Sequence, residues 1–410
     1  MADTAYIVGC TRTAMGRKKG VLAKTHPVDL ATAALNGLAE QCKLDTEQLK
    51  QVDDVIMGCV TQTGEQGTNV SRGAVLAAGW PIEVSGVAIN RFCGSGQQAV
   101  NFAAQGIMSG TQDLVVGAGV ESMTRAPMGA DIGAPSRLLT SKYALVPQGV
   151  SAEMIASKWK LSRDDLDQFA VKSQQNAKAA IEAGKFDAEI TPLEVTVDAG
   201  TAEAYEAHLK KFGRTLKQEK VGDDKVKITV DTDEHPRPET TVEGLAKLKP
   251  VFKPKDGVIH AGNSSGIVDG ASAVMLASEK AVKELNLKPR ARIVGMAVAG
   301  SEPVIMLTGP IPSTEKLLKK TGMKMSDIDL VEINEAFASV PLACGQDLGF
   351  DWDTVNVNGG AIALGHPLGA TGARLITTLV NELERTNKRY GLATMCIGFG
   401  MGISTIIERV

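Results

Sequence analysis

Apolar and polar positions follow two rhythms over the first 125 residues. Short apolar runs stand at Ala5–Gly9, Val52–Val60, Val84–Asn90 and Asp113–Ser122, and each predicts a strand. Between them, Leu30, Ala33, Ala34 and Leu38 fall at helical spacing. A helix over Asn69–Ala78 is stopped by Gly79, with Pro81 beyond. After Cys93, the residues Ala99, Val100, Ala103, Ala104, Ile107 and Met108 mark another helix. Strand–helix alternation of this kind predicts an α/β layered fold.

The last third repeats the plan. Thr314–Lys320 reads as a helix, Ile328–Ser339 as a strand running into a helix, and Thr354–Gly360 as a strand entering a loop. Leu375–Leu383 is the helix after that loop, and Leu392–Glu408 is two strands joined by a glycine turn. VDDVIMG pairs with IDLVEIN, and VAINRFCGSG with the late strand–loop–helix, so two similar α/β halves are expected. The middle differs. Charge is dense from Ala126 to Pro254, and strand patterns are hard to find. Ser162 and Gly184 bracket one good helix. Thr201–Lys227 reads as a hydrophilic surface excursion. The expected organisation is residues 1–125 with 255–282 as one half, 126–254 as an inserted segment covering a site, and 283–410 as the other half.

Composition narrows the class. With 410 residues, 43% hydrophobic and 22% charged, the chain can bury more than one core. A net charge of −3 gives no electrostatic case for nucleic acid. No stretch approaches the roughly 20 apolar residues of a membrane span, and the first residues show no secretory pattern. The six cysteines are scattered without a CxxC pair, which argues against a metal site and for a reduced, cytoplasmic setting. GAGVES does not match GxGxxG, so no dinucleotide fingerprint is present.

Three residues carry candidate chemistry. Cys93 ends a strand in NRFCGSGQQAV, just ahead of a helix. Helix N–H groups there favour a thiolate, and Gly94 and Gly96 leave room for an acyl group. The N–H of Cys93 can point at a thioester oxygen. His366 stands in LGHPLGATGAR, between Gly365 and Pro367, and as a neutral imidazole can take the Cys93 proton. Cys396 ends a strand ahead of Gly398, Gly400 and Gly402; its thiolate suits removal of a proton alpha to a thioester. The Gly398 N–H can join that of Cys93 around an oxyanion. Asn334, set in an apolar passage, can hold a water or cap the helix expected near Ala336. Ser265, in AGNSSGIVDGAS, can donate to a pantetheine-like chain.

Together NRFCGSGQQA, VEINEAFAS, GGAIALGHPLGATGAR and CIGFGMG, in this order, resemble the thiolase family over nearly the whole chain. The resemblance implies a five-layer αβαβα core from two duplicated halves with an inserted loop domain, assembled as a homodimer or homotetramer. It implies coenzyme A as co-substrate, no permanently bound cofactor and no metal. Cys93 matches the acyl-carrying nucleophile, His366 its activating base and Cys396 the acid/base at the alpha carbon. Asn334 matches the holder of an oxyanion-hole water, and Cys93 and Gly398 match backbone donors of a second hole. Ser265 matches a pantetheine contact, and Arg237 a basic residue near the nucleotide. The implied reaction is CoA-dependent cleavage of a 3-ketoacyl-CoA, reversible as a Claisen condensation. Alternatives are a biosynthetic acetoacetyl-CoA thiolase, a silent acyl-CoA-binding protein on the same fold, a decarboxylating ketoacyl synthase, and a disulfide-forming redox sensor.

Two departures stand out. Short-chain thiolases carry His-Met-Gly where this chain has Pro147, Gln148 and Gly149, which is expected to change or widen the acyl pocket. Taken with VTQTGEQ and CGSGQQA, this makes the chain most similar to thiolases for long or bulky acyl groups, steroid side chains included. Phe399 stands where the family commonly has glycine, and is expected to narrow the site.

Overall fold

The computed structural model describes residues 3–410. Its main feature is a ten-stranded mixed sheet. From edge to edge the main path runs Leu330–Ile333, Tyr390–Ile397, Met401–Arg409, Ala291–Gly300, Tyr6–Arg12, Val268–Ala277, Leu114–Ser122, Asp54–Gly58 and Ser85–Ile89. The two-residue strand Gly16–Arg17 pairs to the side, on Val268 and Asp269.

The duplication expected from the sequence is visible in the pairing. In the first half, Asp54–Gly58 lies parallel to both Ser85–Ile89 and Leu114–Ser122, while Val268–Ala277 is antiparallel to Leu114–Ser122 and Tyr6–Arg12. In the second, Leu330–Ile333 is parallel to Tyr390–Ile397, and Met401–Arg409 is antiparallel to Tyr390–Ile397 and Ala291–Gly300. A parallel bridge from Val331 to Val355 stands where the first half has its edge strand. VDDVIMG and IDLVEIN therefore hold equivalent places. Within the sheet the halves pair at Tyr6 with Arg292 and Ile7 with Ala291.

Layers follow from the faces of the strands. Successive side chains point to opposite faces, so Val115 and Leu276 pack inward while their neighbours Val116 and Met275 pack outward. Both faces are covered, which is why these strands read as nearly continuous apolar runs. Helices Ser95–Met108 and Thr371–Thr386 form the central layer, almost wholly buried between the two half-sheets. Helices Pro27–Cys42 and Val70–Ala77 cover the outer face of the first half, and Pro310–Thr321 and Ser339–Leu348 that of the second. This is the αβαβα arrangement.

The two central helices touch backbone to backbone. A Cβ at Gly96 would come within 2.6 Å of the Gly369 carbonyl oxygen, and one at Gly372 would strike the Gln97 amide. Only glycine permits so close a crossing, and it brings both helix N-termini to one place.

The middle segment holds more structure than its composition suggests. Thr201–Lys227 is no loose excursion. Helix Ala199–Lys210 buries Ala202, Tyr205 and Leu209, and the Tyr205 hydroxyl donates to the Thr232 carbonyl at 2.8 Å. Strands Leu193–Asp198, Lys225–Val230 and Gln218–Lys220 form a small antiparallel sheet. Three buried residues at i, i+3 and i+7 suffice to seat the helix, and charged neighbours mask that spacing.

Candidate active site

A cavity of about 580 Å³ opens beside the N-termini of the central helices. Cys93, His366 and Cys396 all line it, although 303 residues of sequence separate the two cysteines. Ser265 and Arg237 line it as well. Residues 126–254 contribute Met128, Gln148, His235, Leu245 and Phe252 to the wall.

Cys93 is 5% exposed and stands in a tight turn between strand Ser85–Ile89 and helix Ser95–Met108. Asn90 Oδ1 accepts the Phe92 N–H at 2.8 Å. Ser95 Oγ accepts the Arg91 N–H at 2.9 Å and donates to the Phe92 carbonyl at 2.6 Å. These bonds hold Phe92 at φ +45°, a conformation bulky residues seldom adopt. Burial pushes the Cys93 thiol up to about 11, opposed by the N–H groups of Cys93 and Gly398 and by the Gln148 side-chain amide. Desolvation outweighs these donors. Cys93 rests as a thiol, so a base must remove its proton.

His366 is positioned from both sides. Its backbone N–H donates to the Gly266 carbonyl at 2.9 Å, and Gly365 before it adopts φ +93°. Nδ1 lies 2.6 Å from Thr371 Oγ1, and Nε2 lies 3.4 Å from Asn334 Nδ2. Burial, reinforced by the Arg374 charge, pushes the imidazole down to about 3. The ring is therefore neutral at ordinary pH. Asn334 is fully buried and does not cap a helix; the next helix starts at Ser339. Its Oδ1 takes no hydrogen bond from the described residues, which leaves an acceptor beside the imidazole.

Cys396 lies in strand Tyr390–Ile397 and is fully buried. Burial, then the neighbouring Cys93 and Cys344, raise its thiol well above the ordinary value. The turn after it, Gly398 to Gly400, carries Phe399 at φ +61°. Phe399 does not narrow the cavity. Its ring packs edge-on against Phe92 at 5.2 Å, is 51% exposed and stays out of the cavity wall.

Ser265 and Arg237 reach the cavity less deeply. The Ser265 N–H donates to the Ala336 carbonyl at 3.0 Å, stitching the first-half loop to the second half. Arg237 is exposed and tied by its backbone N–H to Gln174 Oε1 at 2.7 Å. Arg17 and Lys18 stand at the same cavity, so cations gather there. Among the described residues no group of three His, Cys, Asp or Glu is arranged to hold a metal.

Several supporting residues escaped sequence reasoning. Buried Glu121 accepts the N–H groups of Val60, Thr61 and Gly369 and the Gln66 amide, which ties the His366 loop to the first half. Glu335 accepts from Ser173, Asn356 and the Ile362 N–H in the same way. A carboxylate in a fully apolar strand was the available signal for Glu121. Thr371, five residues after His366 on the first turn of a helix, was the signal for the imidazole's partner.

Comparison with known proteins agrees with this geometry. Residues 5–280 match the thiolase N-terminal domain, and residues 287–409 the thiolase C-terminal domain. The chain is 45% identical to a 3-ketoacyl-CoA thiolase of Vibrio cholerae, covering 99% of this chain and 100% of the relative. It is 44% identical to a beta-ketoadipyl-CoA thiolase of Acinetobacter baylyi, covering 99% of each chain. It is 45% identical to a steroid 3-ketoacyl-CoA thiolase of Mycobacterium tuberculosis, covering 99% of this chain and 94% of the relative. The crystal structure of human mitochondrial 3-ketoacyl-CoA thiolase in complex with CoA is 39% identical, superposes with a TM-score of 0.85, and is covered over 99% of its length by 100% of this chain. No helix among the described residues is long and apolar enough to cross a membrane. The two domain matches, the full-length relatives and the shared fold together establish that this chain belongs to the thiolase family.

Proposed function

We propose that this thiolase cleaves 3-ketoacyl-CoA by a ping-pong route through an acyl group on Cys93. The observation that carries the reading is the convergence of Cys93, His366 and Cys396 on one cavity. His366 Nε2 takes the Cys93 proton as the sulfur attacks the 3-keto carbon. The carbonyl electrons move to oxygen, held by the N–H groups of Cys93 and Gly398. Collapse breaks the C2–C3 bond, the electron pair goes to C2, and the Cys396 thiol protonates it. The enolate oxygen of the departing acetyl-CoA lies against His366 and a water held by Asn334. In the second half-reaction CoA gives its thiol proton to Cys396, attacks the acyl carbon and expels the Cys93 thiolate, which recovers its proton from His366. Run backwards, the same steps make the carbon–carbon bond.

Ser265 and Arg237 serve the pantetheine and nucleotide ends of CoA in this reading, supported by their places along the cavity wall. Residues 126–254 act as the substrate-covering insertion, and the halves are 1–125 with 255–282, and 283–410. A dimer or tetramer accords with strand Ser85–Ile89, whose outer edge has no strand partner among the described residues and whose Val87 is 41% exposed. The test is CoA-dependent loss of a 3-ketoacyl-CoA series, from acetoacetyl-CoA to long-chain and steroid side-chain thioesters, with intact-mass detection of acyl-Cys93. Cleavage with a covalent adduct supports the reading. Binding without adduct or turnover on any member favours the silent binding protein.

A further inference from the structure

Gln148 opens helix Gln148–Lys158 and is half-buried. Both it and Cys93 line the cavity. Its Nε2 lies 3.6 Å from the point where a Cβ on Gly398 would stand, so the amide sits over the Gly398 backbone. The helix is firmly seated. Ser151 Oγ donates to the Val304 carbonyl at 2.7 Å, and the Glu153 carboxylate accepts the N–H groups of Val258 and Ile259 at 3.0 and 2.9 Å. A side chain carried on such an element is held close to one position.

We propose that the Gln148 amide is a third donor to the oxygen that gains negative charge on the acyl group held by Cys93, alongside the N–H groups of Cys93 and Gly398. The proposal rests on the acyl-Cys93 reading above. The two backbone N–H groups and this amide each act on the Cys93 thiol, lowering it against the burial that raises it. Acylation makes that sulfur a poor acceptor and sets a carbonyl oxygen two bonds away. The donors then have a better partner than before, and best of all in the tetrahedral intermediate. Met123, Leu307 and Leu368 line the same cavity as Gln148. The inserted segment thus contributes to the chemistry besides covering it.

The experiment follows acyl-Cys93 by rapid quench and intact mass with acetoacetyl-CoA, in wild type, Gln148→Met and Gln148→Ala. Methionine keeps the length and removes the donor; alanine guards against a misfit of the thioether. In parallel, Cys93 alkylation by iodoacetamide reads the sulfur without a carbonyl. Loss of one oxyanion donor predicts a fall of about 100-fold or more in acylation rate, with KM within about twofold and the melting temperature unchanged. Alkylation should change far less. Unchanged acylation in both variants overturns the proposal. So does a loss of the same size in alkylation, which would make Gln148 a partner of sulfur alone. Wild-type enzyme that forms no adduct sinks the underlying reading instead, which keeps the two failures apart.

Discussion

The Thr371 hydroxyl fixes which nitrogen of His366 is basic. It lies 2.6 Å from Nδ1 and donates its own proton to the Pro367 carbonyl at 2.8 Å. It therefore accepts from Nδ1–H, and the lone pair is on Nε2, toward Asn334 and the cavity. Thr371→Val removes this control. We expect kcat/KM to fall about tenfold or more, by analogy with outer partners of ligating histidines, and Thr371→Ser to restore most of it. Steady-state kinetics of the two variants, at matched melting temperature, decide the point.

The two thiols should separate by step. Cys93→Ser should abolish the covalent adduct and turnover while leaving the fold intact, because the change is nearly isosteric. Cys396→Ser should still be acylated on Cys93 by a simple acyl-CoA, where no carbon–carbon bond breaks, but lose at least about 100-fold in cleavage of a 3-ketoacyl-CoA, the range of a lost general acid. Intact mass after the acyl-CoA and acetyl-CoA release from the 3-ketoacyl-CoA measure the two; equal losses would contradict the division of roles.

His366 also predicts an acid limb in stability. Its ring falls from an ordinary 6.5 to about 3 in the folded chain. Between those values the unfolded chain holds a proton that the folded chain excludes, so stability rises with pH there. The slope from this one group approaches about 1.4 kcal/mol per pH unit. Urea midpoints across this range should fall more gently with acid in His366→Gln than in wild type. Identical slopes would mean the imidazole is not held neutral.

Gly96→Ala tests the helix crossing. The new methyl would meet the Gly369 carbonyl oxygen at 2.6 Å, and neither backbone can yield locally. We expect a loss of about 1–3 kcal/mol, the usual cost of overpacking. Activity should fall beyond what the stability loss explains, because Gly369 belongs to the His366 loop. Thermal melts paired with kinetics at a permissive temperature would show it.

Much of this was legible before the structure. Cys93, His366 and Cys396 announce themselves through glycine-rich settings at strand ends, and such settings survive in one dimension. The duplicated strands are legible because burial on both faces leaves unbroken apolar runs. The small sheet around Leu193–Asp198 was not. Its strands are half-exposed, so their alternation is diluted by lysine and glutamate. The resting state of Cys93 was not legible either. A helix terminus is visible in sequence, but the depth of burial that overrides it depends on distant residues. Phe399 misled for a related reason: the sequence says that a ring is present, while the positive φ of Phe399 and the edge contact with Phe92 decide which way it points.

The join of the two halves is a division of labour. Duplication produced two helix N-termini that cross at glycines, one introduced by Cys93 and the other by the His366 loop. A symmetric ancestor would have carried the same group at both. Here one terminus carries Cys93 and the other the loop of His366, so neither half holds both groups alone. Cutting the chain between residues 283 and 290 and mixing the pieces would make catalysis a direct gauge of how faithfully the halves find each other.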